Sequence, residues 1–255
     1  MKIRVLGASG SEMPGYNLPA FLIDDRILMD AGTIGLALND DEQWRIKHIL
    51  LTHAHIDHIK GIPFFLDNLI VRNKKHTVTI ISGREVLEDI KRNVFNDRIW
   101  PDFTKIPSAE EPVLRFKAIN RARSINIDGY RVFAEKMNHA VPDYGYIIEG
   151  KDKKAVAYTG DTGPTDLFWK MVSLHDVRCL IIETSLPNSM SELASRSGHL
   201  SASLLKKEMM KMTKTPPLIV ISHAKPQFLS LIEKEIRALG FNNIRILRDG
   251  QTINI

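Results

Sequence analysis

The sequence predicts an α/β fold in which two β-sheets pack face to face between outer layers of helices, an αββα sandwich of four layers. Three observations carry that expectation. Strand-like and helix-like stretches are found in both halves of the chain, and they alternate most regularly in the second. At 255 residues, 44% hydrophobic and 25% charged, the chain can bury the core that such a sandwich needs as one domain over residues 1–255. Histidine and aspartate gather where predicted strands end, and strand ends converge on one rim of a sheet.

Residues 1–6 read as a strand entering a Gly/Ser loop, and 20–23 and 26–29 as two more around the turn pair Asp24-Asp25, an antiparallel opening. A helix is expected over 34–44 and an apolar strand over 48–51. Pro63 suits the first turn of a helix over 64–70. Residues 77–81 are β-branched throughout, and over 85–94 Val86, Leu87, Ile90 and Val94 share one helical side. Strands are expected at 113–116, 130–135, 144–148 and 155–158. The second half then alternates helix 165–173, strand 179–183, helix 201–212, strand 218–222 and helix 227–239. No repeat, low-complexity stretch or dividing linker interrupts the series.

Composition narrows the function classes. No apolar run approaches the roughly 18 residues of a membrane span, and the N-terminal stretch is a strand, not a signal peptide, so a cytoplasmic enzyme without a membrane partner is expected. The single cysteine, Cys179, lies in an apolar stretch and cannot form a disulfide within the chain. A formal charge of +5 suits an anionic substrate, but Lys and Arg are dispersed, which does not favour a nucleic-acid partner.

The chemistry concentrates in Thr52-His53-Ala54-His55-Ile56-Asp57-His58. Four potential ligands within six positions cannot all reach one ion from a regular helix or strand, whereas a loop leaving a strand can turn them to two sides. Two adjacent divalent ions then share one segment. Imidazole and carboxylate without thiolate suit zinc, and also manganese or iron. Further candidates also follow strands: His139 after 130–135, Asp161 after 155–158 between Gly160 and Gly163, and His223 after 218–222. His48, His76 and His175 have no such company and read as surface or strand-edge residues.

In these residues the chain resembles the metallo-β-lactamase superfamily and, within it, the class II cyclic-nucleotide phosphodiesterases. Asp30-Ala31-Gly32, the His-x-His-x-Asp-His cluster, His139, Gly160-Asp161-Thr162 and His223 follow in the superfamily's order. The narrower likeness rests on residues 53–68 and on Phe95-Asn96-Asp97-Arg98-Ile99-Trp100-Pro101-Asp102-Phe103, with Ile56 where the family usually has leucine. The resemblance implies the metallo-β-lactamase fold, one ion on His53, His55 and His139, a second on Asp57, His58 and His223, and Asp161 between them. Asp57 is thereby both ligand and catalytic residue. A water shared by two such ions would deprotonate near neutral pH and attack the phosphorus of a 3′,5′-cyclic nucleotide, cyclic AMP or cyclic GMP, expelling O3′ to give a 5′-monophosphate. His199 is the candidate proton donor to that oxygen and Glu183 the group that orients it. Asp30 is expected to support the ligands by hydrogen bonds. Phe95, Trp100 and Phe103 would line the nucleotide pocket, form a dimer contact or anchor their loop. Homodimers are frequent in the superfamily, which makes a second copy of the chain a candidate partner.

Other functions use the same fold. A tRNA 3′-processing endonuclease would share the ligands and the Glu and His pair, but its substrate-gripping arm has no room in the single hairpin between His139 and Asp161. A lactam or thioester hydrolase would attack a carbonyl, which the phosphodiesterase-like sequence after Gly61 disfavours. A silent binding protein would have no need of every expected ligand.

Overall fold

The computed structural model describes residues 1–72, 75–121 and 123–255. Among these residues two seven-stranded sheets form, each with one antiparallel and one parallel half. The first contains β1 (Lys2–Gly7), β2 (Ala20–Ile23), β3 (Ile27–Met29), β4 (His48–Leu50), β5 (Val78–Ser82), β6 (Leu114–Ala118) and β14 (Thr252–Asn254), in the order β14-β1-β2-β3-β4-β5-β6. The second contains β7 (Ile125–Ile127), β8 (Tyr130–Lys136), β9 (Tyr144–Glu149), β10 (Lys154–Tyr158), β11 (Asp176–Glu183), β12 (Leu218–Ser222) and β13 (Ile244–Ile246), in the order β13-β12-β11-β10-β9-β8-β7. Pairing is antiparallel from β14 to β3 and parallel from β3 to β6. It is likewise antiparallel from β7 to β10 and parallel from β10 to β13.

The four layers follow from side chains alternating across each strand. In β11, Cys179 and Ile181 enter the cluster between the sheets, while Leu180 and Ile182 join the cluster under the outer helices. β10 divides in the same way, Val156 and Tyr158 inward and Ala155 and Ala157 outward. The outer layer of the second sheet is formed by α5 (Leu167–Ser173), α6 (Ala202–Met209) and α7 (Leu229–Ala238), with Phe168, Leu205 and Ile232 fully buried. On the first sheet α3 (Gly61–Val71) and α4 (Arg84–Asn93) bury Phe65, Leu66, Val86 and Ile90. No helix among the described residues is long and apolar enough to cross a membrane.

The helix expected over 34–44 is shorter and later, α1 (Asp40–Arg45). Asn39 fixes its start: its side chain accepts from the Glu42 amide while the Glu42 carboxylate accepts from the Asn39 amide, a capping box that leaves 34–38 as turn. The aromatic segment is also resolved in favour of anchoring for two of its three rings. Phe95 and Phe103 are fully buried with centroids 5.9 Å apart and cannot line a pocket, whereas Trp100 is half-buried against exposed Phe64.

Candidate metal centre

The C-terminal ends of β4, β10, β11 and β12 reach one rim, and the loops that leave them assemble the site. Beyond Leu51, whose amide still bonds to Ile81, residues 52–55 form no regular element; His55, itself extended, then caps the single turn α2 (Ile56–Ile59). The cluster is therefore divided between a loop and a helical turn. His53 and His55 project from the first, and Asp57 and His58 from the second, with Ile56 exposed to solvent between them. A side chain on Gly32 would collide with the Asp57 carbonyl at 2.0 Å, which accounts for glycine after Asp30-Ala31.

All seven expected residues come together in two groups. His53, His55, His139 and Asp161 form one, and Asp57, His58 and His223 the other, each with its donor atoms within 4.8 Å of one another. In the first, His55 Nδ1 lies 2.9 Å from His53 Nε2 and 3.3 Å from His139 Nε2. In the second, His223 Nε2 lies 3.3 Å from His58 Nε2 and 3.2 Å from Asp57 Oδ2. Asp161 Oδ2 stands between the groups, 3.8 Å from His53 Nε2, 3.5 Å from His58 Nε2 and 3.3 Å from His223 Nε2. Its buried Oδ1 has no hydrogen-bond partner among the described residues.

The outward-facing nitrogens explain why the rings point where they do. His58 Nδ1 donates to Asp30 Oδ2 at 2.7 Å, His139 Nδ1 to the Gly198 carbonyl at 2.9 Å, and His223 Nδ1 to Ser185 Oγ at 2.8 Å. Donation at Nδ1 leaves each Nε2 with a lone pair directed into the site. Two lone pairs 3.3 Å apart on His58 and His223 repel unless a cation or proton lies between, so the donor set fits a divalent metal. Asp30 is itself held, accepting from the Thr52 amide at 2.8 Å and the Tyr158 hydroxyl at 2.6 Å. His223 adopts a left-handed backbone at φ 61°, and Gly10 admits it, since a Cβ there would lie 2.3 Å from the His223 carbonyl.

The electrostatics match a site built for positive charge. Burial, with the neighbouring His58, pushes His53 down to about 3; burial, with His53 and His139, pushes His55 down to about 4, so both imidazoles are neutral and free to donate electron pairs. For His58 the carboxylates of Asp161 and Asp30 outweigh burial and raise its pKa well above the ordinary value. Asp161 is held well below the carboxylate range, burial being overcome by His223 and His58. Asp57 is also lowered: its contact with His223 outweighs burial.

Beside this cluster, His199 Nδ1 lies 2.8 Å from Glu183 Oε1 and 3.9 Å from Asp161 Oδ2. Fully buried Glu183 also accepts from the Thr162 amide at 2.9 Å, the Leu200 amide at 3.2 Å and Ser185 Oγ at 2.6 Å. Burial alone would lower the His199 pKa, but Glu183 raises it to about 9.

Sequence reasoning missed Asp143 and Ser185. Asp143 is fully buried with Oδ2 2.9 Å from His53 Nδ1, although the alignment is not that of a hydrogen bond and Thr52 Oγ1 competes at 3.0 Å. Its signal was an acid four residues after His139 at the mouth of an apolar strand. Ser185 links Glu183 to His223, and its signal was position alone, two residues past Glu183. His48, His76 and His175 lie outside both groups, with their own partners Asp128, Ile46 and Glu149.

Residues 25–217 match the family described as Beta-lactamase superfamily domain. A probable 3′,5′-cyclic-nucleotide phosphodiesterase of Yersinia pestis is 27% identical over 206 residues, covering 72% of this chain and 58% of that protein. A ribonuclease Z of Metallosphaera sedula is 28% identical over 159 residues, covering 60% of this chain and 50% of that protein. The chain thus spans 58% of the length of the first relative and half that of the second. The structure of unliganded yeast PDE1 superposes with a TM-score of 0.83 at 20% identity, over 98% of both chains, a likeness of fold.

Proposed function

The chain belongs to the beta-lactamase superfamily, and from that membership we propose that its 255 residues act as a single-domain, binuclear metal-dependent phosphodiesterase that converts cyclic AMP or cyclic GMP to the 5′-monophosphate. The observation that carries the reading is Asp161 Oδ2, one carboxylate oxygen placed within 3.8 Å of imidazoles from both groups. The cyclic-nucleotide phosphodiesterase among the relatives supports the substrate class.

The fold family implies divalent metal ions, and the donor set fits them. His53, His55 and His139 would hold one, and Asp57, His58 and His223 the other, with Asp161 shared; nitrogen and carboxylate donors favour zinc. When bound, such ions acidify water near neutral pH and neutralise charge on phosphoryl oxygens. The remaining work falls to the chain. Glu183 keeps His199 protonated at neutral pH, and the imidazolium delivers its proton to the departing O3′. Asp57, with 28% of its side chain exposed, stands on the open side of the cluster where substrate enters.

Asp30→Asn should weaken metal binding by about 10- to 100-fold, because an amide nitrogen then faces either the His58 N–H or the backbone N–H of Thr52. Chelator competition measures it, and unchanged affinity would remove Asp30 from the supporting role. The function itself is tested by offering metal-loaded protein cyclic AMP, cyclic GMP, bis(p-nitrophenyl) phosphate and a tRNA precursor. Turnover of a cyclic nucleotide is expected. Cleavage of the precursor alone would make the chain a nuclease, and no turnover of any diester would refute the phosphodiesterase reading.

A further inference from the structure

A cleft of about 420 Å³ opens between the end of β8, the start of α4 and the loop after β6. Arg84, Arg121, Arg123 and Lys136 line it, against one lining carboxylate, Glu85. Glu85 is already engaged by Lys136 Nζ at 2.6 Å and the Tyr144 hydroxyl at 3.0 Å, and Arg121 pairs with Glu135. Arg84 and Arg123 are exposed and have no ion pair among the described residues. The surplus is not a general property of this surface. The 540 Å³ cleft at the opposite end of the sheets sets Arg26, Lys151 and Lys154 against Asp24, Asp128 and Asp152, a balanced lining.

Position ties the positive cleft to the candidate site. Lys136 ends β8 three residues before His139. Tyr144 lines the cleft, yet its amide donates to the Thr52 carbonyl at 3.1 Å, next to His53, while adjacent Asp143 faces the His53 ring. Gly83 permits this arrangement, since a Cβ there would overlap the Tyr144 ring at 1.9 Å. Tyr144 thus runs from the segment that carries His53 to the wall of the cleft, and marks the direction in which the next anionic group of a bound substrate would lie.

We propose that this cleft is an anion subsite for a second phosphate on the substrate, so that dinucleotide-sized phosphodiesters form a substrate class of this site beside cyclic mononucleotides. Guanidinium groups suit the role, because their paired N–H donors match phosphate oxygens. The proposal rests on the phosphodiesterase reading for its scissile bond, but the cleft can be assayed without turnover.

Metal-loaded protein is titrated calorimetrically with phosphorothioate-linked, 5′-phosphorylated diadenylate and, separately, with AMP and inorganic phosphate. The diadenylate should bind at least about ten-fold tighter than AMP, and the advantage should collapse in R84A/R123A and be retained only in part in R84K/R123K, which keeps the charge but not the paired donors. Its dependence on salt should fall in the alanine variant by about 1 in log–log slope. Equal binding of diadenylate and AMP in the wild type, or an advantage that survives the alanine variant, overturns the proposal. So does loss of inorganic phosphate binding alone, which would mark a site for free anion. Turnover assayed alongside keeps the two readings apart: a protein that cleaves no diester refutes the function, while the calorimetric ratio still reports the cleft.

Discussion

His199→Ala should lower turnover of cyclic AMP by about 10²- to 10⁴-fold, the range of a lost general acid, with metal content unchanged. His199 is held by Glu183 and Ser185, and although its ring packs against those of His139 and His223 with centroids 5.1 and 5.5 Å away, those two rings keep their own Nδ1 partners, the Gly198 carbonyl and Ser185 Oγ, so they should stay in place. A merely structural role would depress all substrates alike. A proton donor instead predicts a smaller loss for bis(p-nitrophenyl) phosphate, whose phenolate leaves without protonation. Equal losses for both diesters, or loss of metal, would remove His199 from the chemistry. Glu183→Gln is the less clean test, because Glu183 also accepts from two backbone amides and Ser185.

Asp161→Ala should be the more damaging change, lowering activity on the order of 10⁴-fold or more, as when a member of a cooperating catalytic unit is deleted. The same carboxylate oxygen lies within reach of His53, His58 and His223, so its loss should weaken both halves of the centre at once. Metal analysis after gel filtration should find the stoichiometry reduced from about two per chain. Full metal content with full activity would show that the two groups do not share a carboxylate. Folding should survive, since the removed group is a buried anion with one unpartnered oxygen.

The long apolar strands and the seven clustered residues were legible because each signal is local. β10, β11 and β12 carry apolar runs rich in Val, Ile, Leu and Ala, as in strands covered on both faces, and each has a candidate residue at its end or within three residues beyond it. The short strands β7, β13 and β14 were not legible. Three residues carry no period, and β14 exists because it pairs with β1 from the other end of the chain. The one-turn α2 was hidden for a related reason, its helical start being imposed at His55 within the motif. Asp143 and Ser185 were missed because only the fold brings them to His53 and His223. The burial of Phe95 and Phe103 likewise depends on packing between elements, to which an aromatic count is blind.

The most direct test of the central claim is hydrolysis of cyclic AMP by metal-loaded protein in ¹⁸O-labelled water, with the Asp57→Ala variant beside it. 5′-AMP carrying the label on phosphorus is expected from the wild type, and none from the variant. Release of 3′-AMP, label anywhere other than phosphorus, or undiminished conversion by the variant would contradict the claim.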